Sequence, residues 1–88
     1  MRIRRSAAAG AFVTVHLELF AGLGRYLPGP GPVRLEVDEG VTVRELLDAL
    51  GVPADEARLI FVNHRAADPA QVLREGDRIG AFPLIAGG

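Results

Sequence analysis

The chain of 88 residues contains no cysteine and no lysine. Without cysteine there is no disulfide framework, no thiolate metal site and no thiol nucleophile. Without lysine there is no side-chain amine to form a Schiff base or accept an isopeptide bond, and all ten basic residues are arginines. Long apolar runs are missing too: none approaches the roughly 20 residues of a membrane-spanning helix, so no membrane role is expected. Nor is there a basic excess. Arg2, Arg4 and Arg5 lie in the first five residues, and the rest of the chain sets seven arginines against 11 Asp and Glu, an excess of four negative charges. That balance argues against a nucleic-acid partner, which needs a basic face to displace counterions, and leans toward a partner with a basic surface.

What is present fits one small globular domain. Hydrophobic residues make up 49% and charged residues 24%, away from the signature of disorder. A chain of this length buries about 60–65% of its unfolded surface, enough for one core. The opening MRIRRSAAAGAF places Arg4 and Arg5 before a short small-residue run that Thr14, His16 and Glu18 soon interrupt. It reads as a flexible extension over residues 1–11 rather than a secretory or twin-arginine signal.

From Val13 the pattern alternates: Val13, Val15, Leu17 and Leu19 are apolar, and Thr14, His16 and Glu18 are polar, as in a half-buried strand. Val33, Leu35 and Val37 alternate in the same way with Arg34, Glu36 and Asp38. The intervening FAGLGRYLPGPGP excludes a regular element in its second half, so the two strands are expected as an antiparallel hairpin with a long connection. Thr42 and Glu45 form a capping box at the head of TVRELLDALG. Val43, Leu46, Leu47 and Leu50 make one apolar stripe, and Gly51 ends the helix. RLIFVN is an almost continuous apolar run, expected to be a strand covered over most of its surface. Val72 and Leu73 are expected to tuck inward, and Glu75–Asp77 to turn into a last strand, RIGAFP. Two strands, a helix and two more strands predict an α+β fold: a four- to five-stranded mixed sheet with one helix on one face.

Few side chains suggest chemistry. GLG at 22–24 lacks the third glycine and following helix of a dinucleotide-binding turn. His16 and His64 are isolated, expected to face solvent, and no metal site is expected. Glu45, Asp48, Asp55 and Glu56 read as a solvated face, and Asn63 as a turn residue. The unusual group is the end. Past Pro83 the five residues LIAGG span roughly 17 Å when extended, at about 3.3–3.6 Å each, long enough to enter a partner's cleft. Glycine threads a channel too narrow for a Cβ, and the Gly88 carboxylate is a competent nucleophile toward the α-phosphate of ATP.

The strand leading into LFAGLGRYL, the TVRELLDALG helix, VNHR, LREGDRI and the ending FPLIAGG occur in an order that resembles the ubiquitin-like sulfur carriers of the β-grasp fold (MoaD/ThiS), most closely the small subunit of molybdopterin synthase. The resemblance implies a β-grasp domain over residues 12–83 and a flexible tail over 84–88. It implies that an E1-like adenylating enzyme (MoeB/ThiF type) uses ATP to adenylate Gly88, and that a sulfur donor protein then converts it to a thiocarboxylate. Ala86 and Gly87 would thread the tail into the synthase large subunit (MoaE type), where the sulfur enters molybdenum cofactor biosynthesis. The chain would itself be non-catalytic, hold no cofactor and work in the cytoplasm. The family's partner-binding patch corresponds to Phe20, Phe82 and Ala66, the last usually larger. A ThiS-like carrier for thiamine thiazole synthesis, a protein modifier joined through Gly88, and an interaction module with an inert tail are the alternatives.

Overall fold

The structure is a computed structural model that describes residues 2–3, 11–27 and 31–83. Its strands are β1 (Arg2–Ile3), β2 (Phe12–Leu19), β3 (Val33–Asp38), β4 (Leu59–Val62), β5 (Arg65–Ala66) and β6 (Arg78–Phe82). Helix α1 (Val43–Ala49) lies between β3 and β4, and a 3-10 helix over Ala21–Tyr26 follows β2. The sheet order is β1-β3-β2-β6-β4-β5. β2 is antiparallel to β3 and parallel to β6, while β4 is antiparallel to both β6 and β5. This is the expected mixed sheet with one α-helix, extended at each edge by a two-residue strand.

Alternation in sequence becomes two-sidedness in space. Val15, Leu17 and Leu19 from β2, Leu35 and Val37 from β3, and Ile79 and Ala81 from β6 are buried together with Val43, Leu46 and Leu47 of α1. The helix begins as its sequence requires: Thr42 accepts from the Glu45 amide at 3.1 Å, and the Glu45 carboxylate accepts from the Thr42 amide at 2.9 Å. Such a cap is worth about 0.5–2 kcal/mol. Gly51 ends it at φ +82, a conformation that a Cβ would strain.

Several expectations change. Arg2 and Ile3 pair in parallel with Glu36 and Val37, so the extension expected over residues 1–11 starts with an edge strand; residues 4–10 lie outside the described residues. Leu73 is buried, but Val72 is 43% exposed because only its backbone is engaged, bridging to Thr42. Three of the four carboxylates read as a solvated face have partners: Glu45 in the cap, Glu56, which accepts from Arg25 and Tyr26, and Asp48, in an exposed pair with Arg44 at 3.7 Å. β4 is buried on one side only. Ile60 and Val62 enter the core, whereas Leu59 is 46% exposed and Phe61 half-buried.

Asn63 and His64 join β4 to β5 with φ of +53 and +69, the two consecutive left-handed residues of a type I′ hairpin. Asn63 donates to Asp77 Oδ1 at 3.0 Å and its Oδ1 accepts from the Arg78 amide at 3.0 Å. Asp77, itself buried, also accepts from the Arg74 amide through Oδ2 at 2.9 Å. The hairpin is thereby pinned to the start of β6. Asn63→Ala removes both bonds and places a methyl side chain at positive φ, and we expect a loss of about 1–3 kcal/mol. Asn63→Gly, which relieves only the φ, should fall between the two in a thermal melt.

Candidate functional site

With the helix on one face, the other face of the sheet is left open, and the alternate side chains that do not enter the core collect there. Phe20 follows β2 and Phe82 ends β6; because those strands are parallel neighbours, the two rings meet, stacked at 4.1 Å between centroids and 2° between planes. Phe61 from β4 meets Phe82 edge-on, at 5.8 Å and 88°. Leu59 lies opposite Phe82 in the β4–β6 register, so an exposed aliphatic side chain extends the aromatic row. Gly80 sits beneath the stack, and a Cβ there would come within 3.3 Å of the Phe20 ring. An open cleft of about 590 Å³ runs along this face, lined among others by His16, Phe20, Phe61, His64, Arg78 and Phe82.

The Phe20 end is held from below. In the 3-10 helix, Arg25 donates to the Gly22 carbonyl and to Glu56, both at 2.5 Å, and its guanidinium lies 4.5 Å from the centroid of the Tyr26 ring. The Tyr26 hydroxyl donates to the same Glu56 oxygen at 3.0 Å. The hydrogen bond to Glu56 raises the Arg25 pKa, and partial burial raises that of the Tyr26 phenol. Leu23 buries the centre of this turn, which fixes the chain immediately after Phe20.

Of the residues assigned to a partner-binding patch, Phe20 and Phe82 are in contact, and Ala66 lies on the same face, exposed and opposite Phe61. The Gly88, Gly87 and Ala86 assignments fall outside the described residues, which end at Pro83, one position beyond Phe82. Leu59 and Phe61 were not anticipated as part of the patch. Their signal was present: a strand apolar at every position, in a fold with one helix for two sheet faces, must show an apolar stripe to solvent. His16 differs from expectation. It is on the open face but half-buried, with both ring nitrogens shut from solvent and without a hydrogen-bond partner among the described residues. Among those residues no cluster of His, Asp and Glu could hold a metal, and no helix is long and apolar enough to cross a membrane.

A half-buried aromatic stack beside the exposed Leu59, at the end of β6, suits docking rather than bond-making by this chain's own side chains. Comparison with known proteins gives that arrangement a family. The small archaeal modifier SAMP1 of Haloferax volcanii is 32% identical, with a TM-score of 0.64 over 85% of this chain and 99% of its own. A putative molybdopterin converting factor, subunit 1, of Pyrococcus furiosus is 26% identical, with a TM-score of 0.63 over 83% of this chain and 99% of its own. A ubiquitin of Caldiarchaeum subterraneum, 18% identical with a TM-score of 0.57 over 89% of this chain and 100% of its own, shares the fold. No curated protein matches the chain. The fold is thus the ubiquitin-like β-grasp of sulfur carriers and small modifiers. The model of the Mut7-C ubiquitin family matches residues 12–87, from the first residue of β2 onward, and the chain belongs to that family.

Proposed function

We propose that the chain is a sulfur carrier whose Gly88 carboxylate is adenylated by an E1-like enzyme with ATP and then converted to a thiocarboxylate. The sulfur would be delivered as the small subunit of molybdopterin synthase. The supporting observation is the position of the aromatic stack: Phe82 closes β6 and the segment ending in Gly88 begins directly after it. A partner seated on Phe20, Phe61 and Phe82 therefore holds the root of an arm whose last five residues, past Pro83, span roughly 17 Å when extended. Carboxylate attack on the α-phosphate forms an acyl-adenylate and releases pyrophosphate; the outer sulfur of a donor persulfide then displaces AMP to give an acyl disulfide, and a second thiol of the donor protein attacks the donor's own sulfur, releasing the thiocarboxylate and leaving a disulfide on the donor. Ala86 and Gly87 would thread the partner's channel, and the catalytic residues would belong to the partners. This chain would hold no cofactor of its own and would act in the cytoplasm.

Incubation with an E1-like enzyme, ATP and a sulfur donor, followed by intact-mass measurement, tests the reading. Exchange of one oxygen for sulfur supports it. A ladder of heavier conjugates would instead support a protein modifier joined through Gly88, the reading favoured by the similarity to the small archaeal modifier. Phe82→Ala removes one ring from both aromatic contacts, and its affinity for the adenylating enzyme and the synthase large subunit is expected to fall by more than tenfold, the scale of an interface anchor. Titration calorimetry with unchanged affinity for both partners would remove the patch from the docking surface.

A further inference from the structure

The open face changes chemistry along its length. Strand register sets three rows across it. Phe20, Phe82 and Leu59 form the row nearest the tail, and Glu18, Gly80, Phe61 and Ala66 the next. The third row is Arg34, His16 and Arg78. Same-face positions recur every two residues, so the third row lies about 13 Å from the first. His64, in the turn after β4, lines the same cleft beside Arg78, because the Asn63 amide donates to the Arg78 carbonyl at 2.8 Å. Arg78 is therefore flanked by an imidazole on each side.

These groups are short of acceptors. Neither Arg34 nor Arg78 has an ion-pair partner among the described residues, and neither Glu18 nor Glu36 on the same face pairs with them. His16 has two buried nitrogens and no hydrogen-bond partner among those residues. A carboxylate is the group that supplies a guanidinium with a counter-ion and an imidazole N–H with an acceptor at one point. We infer that the docking partner lays an extended segment along this face, with an apolar side chain against Phe20 and Phe82 and an Asp or Glu side chain at Arg78 between His16 and His64. Four residues of extended chain cover the distance, so the two anchors stand at positions i and i+4 of the segment. The negative excess of the folded body points to a partner with a basic surface; the row of Arg34, His16 and Arg78 is a local exception to it. The inference rests on the reading that this face docks a protein, and it makes no use of Gly88.

The test uses synthetic peptides with phenylalanine and glutamate four residues apart on a serine-threonine background, and a twin with glutamine for glutamate. Each is titrated into the isotopically labelled protein and followed by amide chemical shifts. The glutamate peptide is expected to move amides around residues 16–20 and 78–82, with the glutamine twin binding roughly tenfold more weakly. Arg78→Gln should erase the difference, and His16→Gln should reduce it. Equal affinity of the two peptides, shifts on another surface, or no shift at millimolar peptide overturns the inference. So does an equal response to inorganic phosphate, or perturbation of the face by raising the protein concentration alone, which would assign it to a second copy. No enzyme or ATP is present, so this experiment fails independently of the sulfur-transfer reading.

Discussion

Removal of Gly88 is expected to abolish both adenylation and thiocarboxylation while leaving the fold and its melting temperature unchanged. The last strand among the described residues ends at Phe82, whose carbonyl accepts from the Arg58 amide at 3.1 Å, six positions before Gly88. On the proposed function the effect on chemistry is large because the length of the arm sets where the carboxylate stands. With the root seated, deleting one residue withdraws the carboxylate by about 3.3–3.6 Å. A displacement of about 1 Å already reduces rates of positioned reactions by about 10²-fold, so a shift more than three times as large leaves the nucleophile out of reach of ATP. Intact-mass measurement after incubation with the activating enzyme checks this. Modification retained on the shortened chain would defeat both the sulfur-carrier and the modifier readings.

Replacement of Leu46 by alanine is expected to lower the unfolding free energy by about 2–5 kcal/mol through the cavity it leaves. Leu46 is fully buried and stands in the middle of the only α-helix among the described residues, between Val43 and Leu47 against the sheet. A domain of this size has about 4–13 kcal/mol in all, so the substitution removes a large share of it. The urea midpoint should drop with the slope nearly constant. Val72→Ala, at a side chain 43% exposed, should move it far less. An unchanged midpoint for Leu46→Ala would mean that the helix does not contribute to the core.

The parts of the fold that sequence made readable are those with a period. Alternation located β2 and β3 almost to their ends, and the Thr42–Glu45 capping box located α1. β1 and β5 have two residues each, too few to show any period, and exist because longer neighbours offer them free backbone groups. The Asn63–His64 turn was visible as a turn but not in its consequence: the hydrogen bonds to Asp77 and Arg78 join positions 14 and 15 residues apart. For the open face, Phe20 and Phe82 were found through family resemblance, whereas Leu59 and Phe61 follow from counting covers for the sheet. His16 escaped because alternation tells which face a residue occupies, not how tightly its neighbours enclose it. The basic row was hidden by net charge, which averages over the whole chain and does not report where two arginines fall side by side in strand register.

β6 lies between β2, to which it is parallel, and β4, to which it is antiparallel. The strand that carries the tail is therefore an interior one. A pull along the axis of β6 from its carboxyl end, such as an arm held in a deep channel would transmit, is resisted by hydrogen bonds on both sides of the strand, whereas an edge strand would have one ladder to resist it. On the proposed function, the strand that leads to Gly88 is thus anchored by two hydrogen-bond ladders rather than one when a partner holds the arm.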